Sequence, residues 1–464
     1  MAPRWEVWGQ RVLLALGLAV SLLIYLQPAP TSLGEAGRNA FAIFALCTTL
    51  WITNAIPFGV TGLLAVALLA ATGTMRPAEA FAAFGNSAVF FLIGVFILAA
   101  ALVESGLSKR CALLFLRRFE RSPHTFAFGM LLAAAFGTVW MPNQATSAML
   151  FPIALEVAAA LRLAPLQSAY AKVLFLSLAW GAMVGSNASF LGSTRAPLAL
   201  GMMQQRYGTT IGFLDWVVAA LPVVLLGILV APIVLRFTFR SEAVDFASAR
   251  AVLERSVAEM GPMRGRQWLA AGILVSCVAG WVTLNSRVDL AVIALLGAAA
   301  VFATRVLDWE QAERRIHWNI VLMYGGAIAL GVVIDRTGAA RWLVEQATGA
   351  AAIPPVLAIT GVALGALLLS EFMSNAAAVA VMLPIAFSLG DQLGLSPVPL
   401  VLATSVGAGL DFALPFSSAP NTIAFASGYL RMRDVLVAGG LMTIVSALII
   451  LLAGWLWWPL VPFR

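Results

Sequence analysis

The sequence is organised around the stretch MPNQATSAMLFPI at residues 141–153, which returns as MSNAAAVAVMLPI at residues 373–385. The asparagines of the two copies, Asn143 and Asn375, lie 232 positions apart (375 − 143). Each copy is a short polar tip between two apolar arms. Interrupted hydrophobic segments at matching positions of a duplicated chain are typical of the binding site of a secondary transporter. The sequence therefore predicts a carrier whose site contains both tips.

The duplication extends beyond the tips. The same offset joins Gly94 to Gly326 and Gly106 to Gly338, so the register holds without a gap over residues 94–152. Two structural repeats are therefore predicted.

Composition places the chain in a membrane. Of its 464 residues 61% are hydrophobic and only 11% are charged, with a mean hydropathy of +0.95. Soluble domains carry roughly 25% charged residues, and this length suits about ten to twelve spans of roughly 20 residues. We predict an all-α polytopic membrane protein with about eleven transmembrane helices. Its expected location is the bacterial inner (plasma) membrane, with the lipid bilayer as partner.

Charge and cysteine usage exclude several classes of protein. The net charge of +7 fits cytoplasmic loops of a membrane protein, and no basic stripe interleaved with aromatic residues indicates a nucleic-acid partner. The three cysteines are far apart and show neither metal-ligand nor disulfide spacing. With only two histidines, both near predicted loops, metal or histidine catalysis is not expected.

The distribution of basic residues predicts the topology. Most of the 28 lysines and arginines fall on one side if the N-terminus is cytoplasmic. The C-terminus is then external, and the two predicted hairpins, Phe126–Leu161 and Pro355–Leu389, enter from opposite sides. The halves are therefore expected to be inverted repeats, as alternating access around a midplane site requires. Each would hold one re-entrant helical hairpin and one broken helix.

Domain boundaries follow from this layout. We predict an N-terminal span at residues 1–36, a first inverted repeat at 37–239, a charged cytoplasmic linker at 240–266 and a second inverted repeat at 267–464.

Two further spans are interrupted by polar residues, near Gly185–Ser193 and near Phe412–Pro420. Unwound backbone survives in a membrane only where it lines a cavity or is buried in protein. Its free N–H groups attract anions and its free carbonyls attract cations. The tips and these interruptions are therefore the predicted binding elements.

Several stretches resemble the divalent anion/sodium symporter family of dicarboxylate, citrate and sulfate transporters. They are Trp51–Pro57, Phe91–Arg110, both tips and Leu414–Asn421, and the resemblance covers about residues 40–460. It implies a sodium-coupled homodimer. It also implies an elevator mechanism in which scaffold and transport domains are interleaved across both repeats.

The resemblance also implies site residues, with departures from the family pattern. Family members carry Ser-Asn-Thr at both tips, which contacts substrate carboxylates and helps to coordinate sodium. Here the first tip reads Pro142-Asn143-Gln144 and the second Ser374-Asn375-Ala376. In the first interruption, Leu198 stands where the family has Asn.

The candidate residues follow from these matches. The predicted substrate-binding residues are Asn143, Gln144, Thr146, Arg195, Ser374, Asn375, Ser417, Ser418, Pro420, Asn421 and Thr422. The predicted sodium ligands are Ser374, Asn375 and Ala419 in the second half, with Asn143 marking a weakened site in the first half. No other cofactor is expected.

Arg195 is the most informative single residue. An intramembrane arginine costs at least about 2.5–3.5 kcal/mol on insertion scales, so it usually faces a cavity or a partner. It would clamp the anion, act as a tethered cation in place of the first sodium, or form a structural pair. Asp411 is its candidate partner, and also a candidate proton-coupling group or sodium ligand. Glu371 is expected to support the site, because a carboxylate inside the membrane is costly and usually has a function.

The leading hypothesis is thus a secondary carrier of small divalent anions of the dicarboxylate, sulfate or sulfonate class. Sodium, protons or counter-anion exchange would drive it. The alternatives are an anion exchanger, a non-transporting relative whose site has decayed, an ion channel and a membrane-embedded enzyme. The hypothesis of a membrane-embedded enzyme lacks support, because the chain has no zinc-ligand motif and no nucleophile elbow.

Overall fold

The computed structural model describes residues 4–240, 242, 244–284, 287–349 and 353–463, without the side chains of residues 4–8 and 10. Within these ranges the regular structure consists of twenty-two α-helices and short 3-10 and π turns, with no β-strand.

The helices of the first half include one before the predicted repeat. They are α1 Arg4–Leu26, α2 Gly34–Thr53, α3 Phe58–Ala71, α4 Pro77–Ala82, α5 Ser87–Glu104, α6 Leu107–Leu116, α7 Pro123–Gly137, α8 Asn143–Ala160, α9 Ala169–Gly185, α10 Arg195–Tyr207 and α11 Phe213–Thr238. One helix, α12 Ala247–Glu259, lies in the predicted linker.

The second half follows the same order. Its helices are α13 Gly265–Thr283, α14 Leu290–Ala303, α15 Trp309–Arg315, α16 Trp318–Arg336, α17 Ala339–Thr348, α18 Pro355–Phe372, α19 Asn375–Leu393, α20 Pro397–Gly407, α21 Ala419–Phe425 and α22 Met432–Leu452.

Equivalent positions of the two halves have equivalent local structure. Gly106 precedes α6 with φ 77°, and Gly338, 232 positions later, precedes α17 with φ 71°. Only glycine adopts this left-handed conformation readily. The same sharp turn therefore occurs at the same place in each half.

In the part of the chain that the structure describes, six segments are long and apolar enough to cross a membrane, judged by length and composition alone. They are Pro77–Glu104, Phe213–Thr238, Trp318–Arg336, Pro355–Phe372, Asn375–Leu393 and Met432–Leu460. Several shorter apolar helices accompany them. Both arms of the second hairpin are among the six, so their length does not by itself indicate re-entrance. The number of eleven spans and the re-entrant hairpins stay predictions.

The chain divides into two compact units, each made from both halves of the sequence. Unit 1 comprises Met1–Leu92, Arg195–Ile211 and His317–Ala408; unit 2 comprises Ile93–Thr194, Gly212–Ile316 and Gly409–Arg464. Unit 1 thus contains the second hairpin (α18 and α19) with α20 and α10. Unit 2 contains the first hairpin (α7 and α8) with α9 and α21.

Small residues bring helices together within each unit. In unit 1, α3 crosses α16 so closely that a Cβ at Gly326 would overlap the backbone of Gly62. In unit 2, α5 crosses α14 where a Cβ at Gly94 would lie 2.7 Å from the Ala294 Cβ. Positions 62 and 294 are also 232 apart (294 − 62), so the two crossings are equivalent. Such close approach is how helices associate in lipid.

The first hairpin is fixed mainly through its first arm. Gly181 and Gly185 of α9 face Leu131 and Ala135 of α7, where a Cβ on either glycine would overlap backbone atoms. Helix α9 therefore sets the position of the arm that leads to the first tip.

Candidate functional site

In unit 2, the first tip is hydrogen-bonded to the segment between α9 and α10, residues 186–194, which we call the first break. The backbone N–H of Asn143 donates to the Gly192 carbonyl at 3.0 Å. The Ser189 hydroxyl donates to the Val139 carbonyl at 2.7 Å. A Cβ at Gly192 would overlap the Thr138 carbonyl oxygen. The Val139 carbonyl beside the tip and the Gly192 carbonyl of the first break therefore already accept protein donors, near the position predicted for the weakened first-half sodium site.

Among the buried side-chain oxygens of unit 2 that lack a hydrogen-bond partner within the described chain, four belong to two helices that contact each other. They are Gln144 Oε1, Thr146 Oγ1 and Ser147 Oγ in the first two turns of α8, and Asn421 Oδ1 in α21. Helix α21 packs against both α8 and α9. Buried polar atoms are nearly always paired. Their clustering on two contacting helices therefore indicates a place for a ligand.

Ser147 is absent from the residues predicted from sequence. It lies four positions after Asn143, so it shares a helix face with the first tip. That spacing was the available signal.

The segment between α20 and α21, residues 408–418, forms the second break and is held by its own side chains. The Ser417 hydroxyl donates to the carbonyls of Asp411 and Leu414, both at 2.8 Å. Thr422 donates to the carbonyls of Pro415 and Ser418, both at 3.0 Å. The predicted site residues Ser417 and Thr422 therefore shape the loop.

Asn421 has a different position from these hydroxyls. It is 2% exposed, and its amide nitrogen lies 3.3–3.4 Å from the carbonyls of Asp411, Phe412 and Leu414. Three acceptors around the nitrogen fix the orientation of the amide. Its Oδ1 is thereby the unpartnered atom.

The other predicted residues of the second break lie close by. Ala419 and Pro420 are the first two residues of α21, and the Ser418 hydroxyl contacts the Met183 sulfur of α9 at 3.3 Å. Asp411 is fully buried in the same break.

In unit 1, the second tip begins a helix. Helix α18 ends at Phe372, and Ser374 caps α19, its hydroxyl accepting from the Ala377 N–H at 3.3 Å. Asn375 is the first residue of α19, and Glu371 is buried in the last turn of α18. The Ser374 hydroxyl thus has a capping role here.

Arg195 is the first residue of α10 and is 2% exposed. Its Nε donates to the Ser405 carbonyl at 2.7 Å, in the last turn of α20. The last carbonyls of a helix carry partial negative charge. Arg195 is therefore a cation held at the carboxyl end of α20.

The sequence places Arg195 beside the first-half sodium site, and this stays a prediction. One hydrogen-bond partner of Arg195, the Ser405 carbonyl, belongs to the second half of the sequence and to unit 1, which also contains the second tip. The pairing with Asp411, which belongs to unit 2, stays a prediction. Local sequence could not indicate the contact, because 210 residues separate Arg195 from Ser405.

The equivalent positions in unit 2 carry no charge. Aligning Ala196-Pro197 with Ala419-Pro420 makes Ser418 the counterpart of Arg195. The units therefore differ at this position: arginine on a helix carbonyl in one, serine on Met183 in the other.

The far end of α10 is fixed by an ion-pair network. Arg206 pairs with Asp335 of α16 at 2.6 Å and with Asp391 of α19 at 2.5 Å. The Tyr207 hydroxyl donates to Asp391 at 2.8 Å. Burial, together with this bond, raises the pKa of the Tyr207 phenol well above its usual range. The phenol therefore stays protonated and keeps donating.

Comparison with known proteins gives a family match over nearly the whole chain. Residues 9–463 match the family described as "Sodium:sulfate symporter transmembrane region". The sodium-dependent dicarboxylate transporters SdcS of Staphylococcus aureus strains bovine RF122 / ET3-1 and USA300 are each 27% identical, over 98% of this chain and 92% of theirs.

Two solved structures share the fold at low sequence identity. The Alcanivorax borkumensis YdaH transporter is 16% identical with a TM-score of 0.51, over 98% of both chains. Neisseria gonorrhoeae MtrF, whose structure is described as illuminating a class of antimetabolite efflux pumps, is 15% identical with a TM-score of 0.56, over 97% of this chain and 95% of that one.

Proposed function

The chain belongs to the sodium:sulfate symporter family, and from this membership we propose that it is a secondary carrier of small divalent anions of the dicarboxylate, sulfate or sulfonate class. Members of this family are integral membrane transporters and not enzymes. The match confirms the resemblance predicted from sequence. The name of the S. aureus relatives supports a dicarboxylate as the first substrate to test.

The observation that carries the proposal is the group of unpartnered buried oxygens in unit 2. Hydroxyls can donate to an anion or accept, whereas an amide oxygen can only accept. We therefore assign Thr146 and Ser147 to the anion and the amide oxygens of Gln144 and Asn421 to a sodium ion, because hard cations take oxygen ligands. Sodium is here a co-transported substrate.

Arg195 is proposed to replace a second sodium ion. Its Nε donates to the Ser405 carbonyl at the carboxyl end of α20 in unit 1. There the guanidinium supplies a positive charge that does not leave with the substrate. The capping bond of Ser374 gives the second tip a structural role as well. This moves the proposed sodium ligands from Ser374, Asn375 and Ala419 to the side-chain amide oxygens of Gln144 and Asn421 in unit 2. The substrate roles of Asn143, Arg195, Ser374, Asn375, Ser417, Ser418, Pro420 and Thr422 stay predictions, as do elevator motion and the homodimer.

The experiment is anion uptake into proteoliposomes containing the full chain. Succinate, sulfate and a sulfonate are tested with and without an inward sodium gradient. We expect uptake that increases with sodium along a simple hyperbola, as for one bound ion. A sigmoidal sodium dependence would contradict replacement by Arg195. Absence of uptake for every anion under every gradient would contradict a working carrier.

A second candidate, anion exchange, is favoured by the same arginine. The permanent positive charge of Arg195 disfavours a carrier with no bound anion, so an outgoing anion would speed the return step. Anion uptake that requires anion inside the proteoliposomes and does not change with sodium concentration would support exchange.

A further inference from the structure

A cavity of about 310 Å³ lies in unit 2 between the first residues of α7 and α9 and the last residues of α11. Its wall at α7 includes His124, whereas the first tip follows Gly137 at the other end of that helix. At 1.5 Å per residue, the 15 residues of α7 span about 22 Å. The cavity is therefore separate from the candidate substrate site.

Two arginines at this cavity lack anionic partners. Arg236, in the last turn of α11, and Arg240 both line it and are both exposed. Neither forms an ion pair with any residue that the structure describes. Lys172 nearby differs, because it pairs with Asp434 at 2.9 Å.

Glu242, the one acidic group among the described residues that line the cavity, already has hydrogen-bond partners. Glu242 Oε2 accepts from the Ser168 hydroxyl at 2.7 Å and from the Tyr170 N–H at 2.9 Å. Both donors belong to the N-terminus of α9, so Glu242 caps that helix. The Glu242 carboxylate therefore interacts with the N-terminus of α9. Arg236 and Arg240 can still attract an external anion.

A buried phenol provides a second, independent sign of a ligand. Tyr170 lines the cavity, is 3% exposed, and its hydroxyl has no hydrogen-bond partner among the described residues. A buried hydroxyl without a partner is destabilising. An acceptor oxygen entering the cavity would remove that cost.

Apart from His124 and Ser177, the remaining residues of the wall are apolar, with Phe128, Leu235 and Phe239 among them. A water molecule takes up about 30 Å³ in the liquid, so the cavity holds a group of roughly ten heavy atoms. A phosphodiester with its glycerol is about that size. Basic pockets between membrane helices bind anionic headgroups in this way.

We propose that this cavity binds the headgroup of an anionic phospholipid. Arg236, Arg240 and the Tyr170 hydroxyl donate to its phosphate, and the first acyl methylenes lie on Phe128 and Phe239. The bound lipid joins α7, α9 and α11 at the base of the first hairpin. It therefore stabilises unit 2 from the membrane.

The test is thermal unfolding of the full chain in detergent, with added phosphatidylglycerol, phosphatidylcholine or inorganic phosphate. We expect phosphatidylglycerol to raise the Tm by about 3–6 °C more than phosphatidylcholine. The difference should fall by more than half in R236Q/R240Q and in Tyr170→Phe, which removes only the hydroxyl. Lipid phosphorus retained per protein after purification should fall in the same variants.

The matched control is R117Q/R118Q, which removes the same charge from an exposed turn outside the cavity. It should keep the full lipid shift. Equal shifts in wild type, R236Q/R240Q and Tyr170→Phe would overturn the proposal. An equal shift with inorganic phosphate would overturn the choice of a lipid. Because no step measures transport, the result does not depend on the proposed function.

Discussion

At the scale of single residues, Arg195 places a permanent positive charge inside unit 1, against a helix end whose carbonyls lack intrahelical donors. A buried guanidinium is tolerated only when its N–H groups are satisfied. The bond to the Ser405 carbonyl is one such contact. The effect of the charge can be separated experimentally from that of the hydrogen bond. Lysine at position 195 keeps the positive charge but lacks the planar geometry of the guanidinium.

We expect Arg195→Ala to lower anion uptake at low sodium by at least about tenfold, equivalent to roughly 1.4 kcal/mol. High sodium should partly restore it, with a sigmoidal dependence, because a second ion then takes the place of the guanidinium. Arg195→Lys should keep the wild-type hyperbola at a reduced rate. Uptake into proteoliposomes over a range of sodium concentrations measures this.

The control for that series is Arg341→Ala. Arg341 is an exposed arginine of the same unit that pairs with Glu345 one turn away. Such pairs contribute about 0.3–0.5 kcal/mol, so its uptake should equal wild type. Full activity of Arg195→Ala with an unchanged sodium curve would leave Arg195 a purely structural residue.

Substitution of Asn421 tests the proposed sodium ligands. Leucine occupies the equivalent position, Leu198, in the first half, but Asn421→Leu removes the amide contacts to the second break as well as Oδ1. The Ser417 variant below therefore controls for a loosened break. Loss of Oδ1 should raise the sodium concentration for half-maximal uptake by at least about tenfold, roughly 1.4 kcal/mol. Sodium titration of succinate uptake measures it.

Ser417→Ala is the companion variant, because the Ser417 hydroxyl donates to two carbonyls of the second break. It should lower the free energy of unfolding by about 1 kcal/mol while leaving the sodium titration unchanged. The assignment fails if the Asn421 and Ser417 variants shift the titration equally.

At the scale of elements, the second break depends on how closely α22 approaches it. A Cβ at Gly439 would overlap the carbonyl of Phe412, whereas nothing lies within 4 Å of the corresponding point at Gly440. Two adjacent glycines of one helix therefore face opposite surroundings, which gives a matched pair.

Gly439→Ala should destabilise the protein by about 1–3 kcal/mol, because the overlapping atoms belong to the backbone and the core must shift. Gly440→Ala should be neutral or stabilising by up to about 1 kcal/mol through helix propensity. Thermal unfolding of both variants provides the comparison. Equal Tm values for the two would mean that α22 moves away from the break without cost.

The positions of the tips and of the broken helices followed from sequence, because Asn143 and Asn375 mark both tips through the repeat. The partners of the polar residues did not. A hydroxyl at a predicted site can bind a ligand, cap a helix as Ser374 does, or hold a loop as Ser417 does. These roles differ only in where the backbone brings a carbonyl or an N–H, and composition and spacing do not contain that information.

At the scale of the whole molecule, the two units do not coincide with the two halves predicted from sequence. The offset of 232 identifies equivalent helices but not packing partners. Helix α3 packs on α16, and α14 contacts α5 at Gly94, so each contact joins one half to the other. The apolar periodicity of a helix does not indicate which distant helix packs against a given face.

Topology gives a prediction for the complete chain. With an odd number of spans, the termini lie on opposite sides. We expect a fluorescent protein that matures only in the cytoplasm to be bright at the N-terminus and dark at the C-terminus. A periplasmic phosphatase should show the reverse, and cell fluorescence and phosphatase activity measure both. Bright fusions at both ends would exclude eleven spans.

The crossing of α3 and α16 also has a consequence for biosynthesis. Gly62 leaves the ribosome 264 residues (326 − 62) before the glycine it packs against. At about 5–20 residues per second, that interval is roughly 13–53 s. During it, nascent α3 resides in the bilayer or the insertion machinery with its small-residue face uncovered. A ribosome stalled before α16 would therefore release a chain with no completed unit 1, a substrate for membrane quality-control proteases.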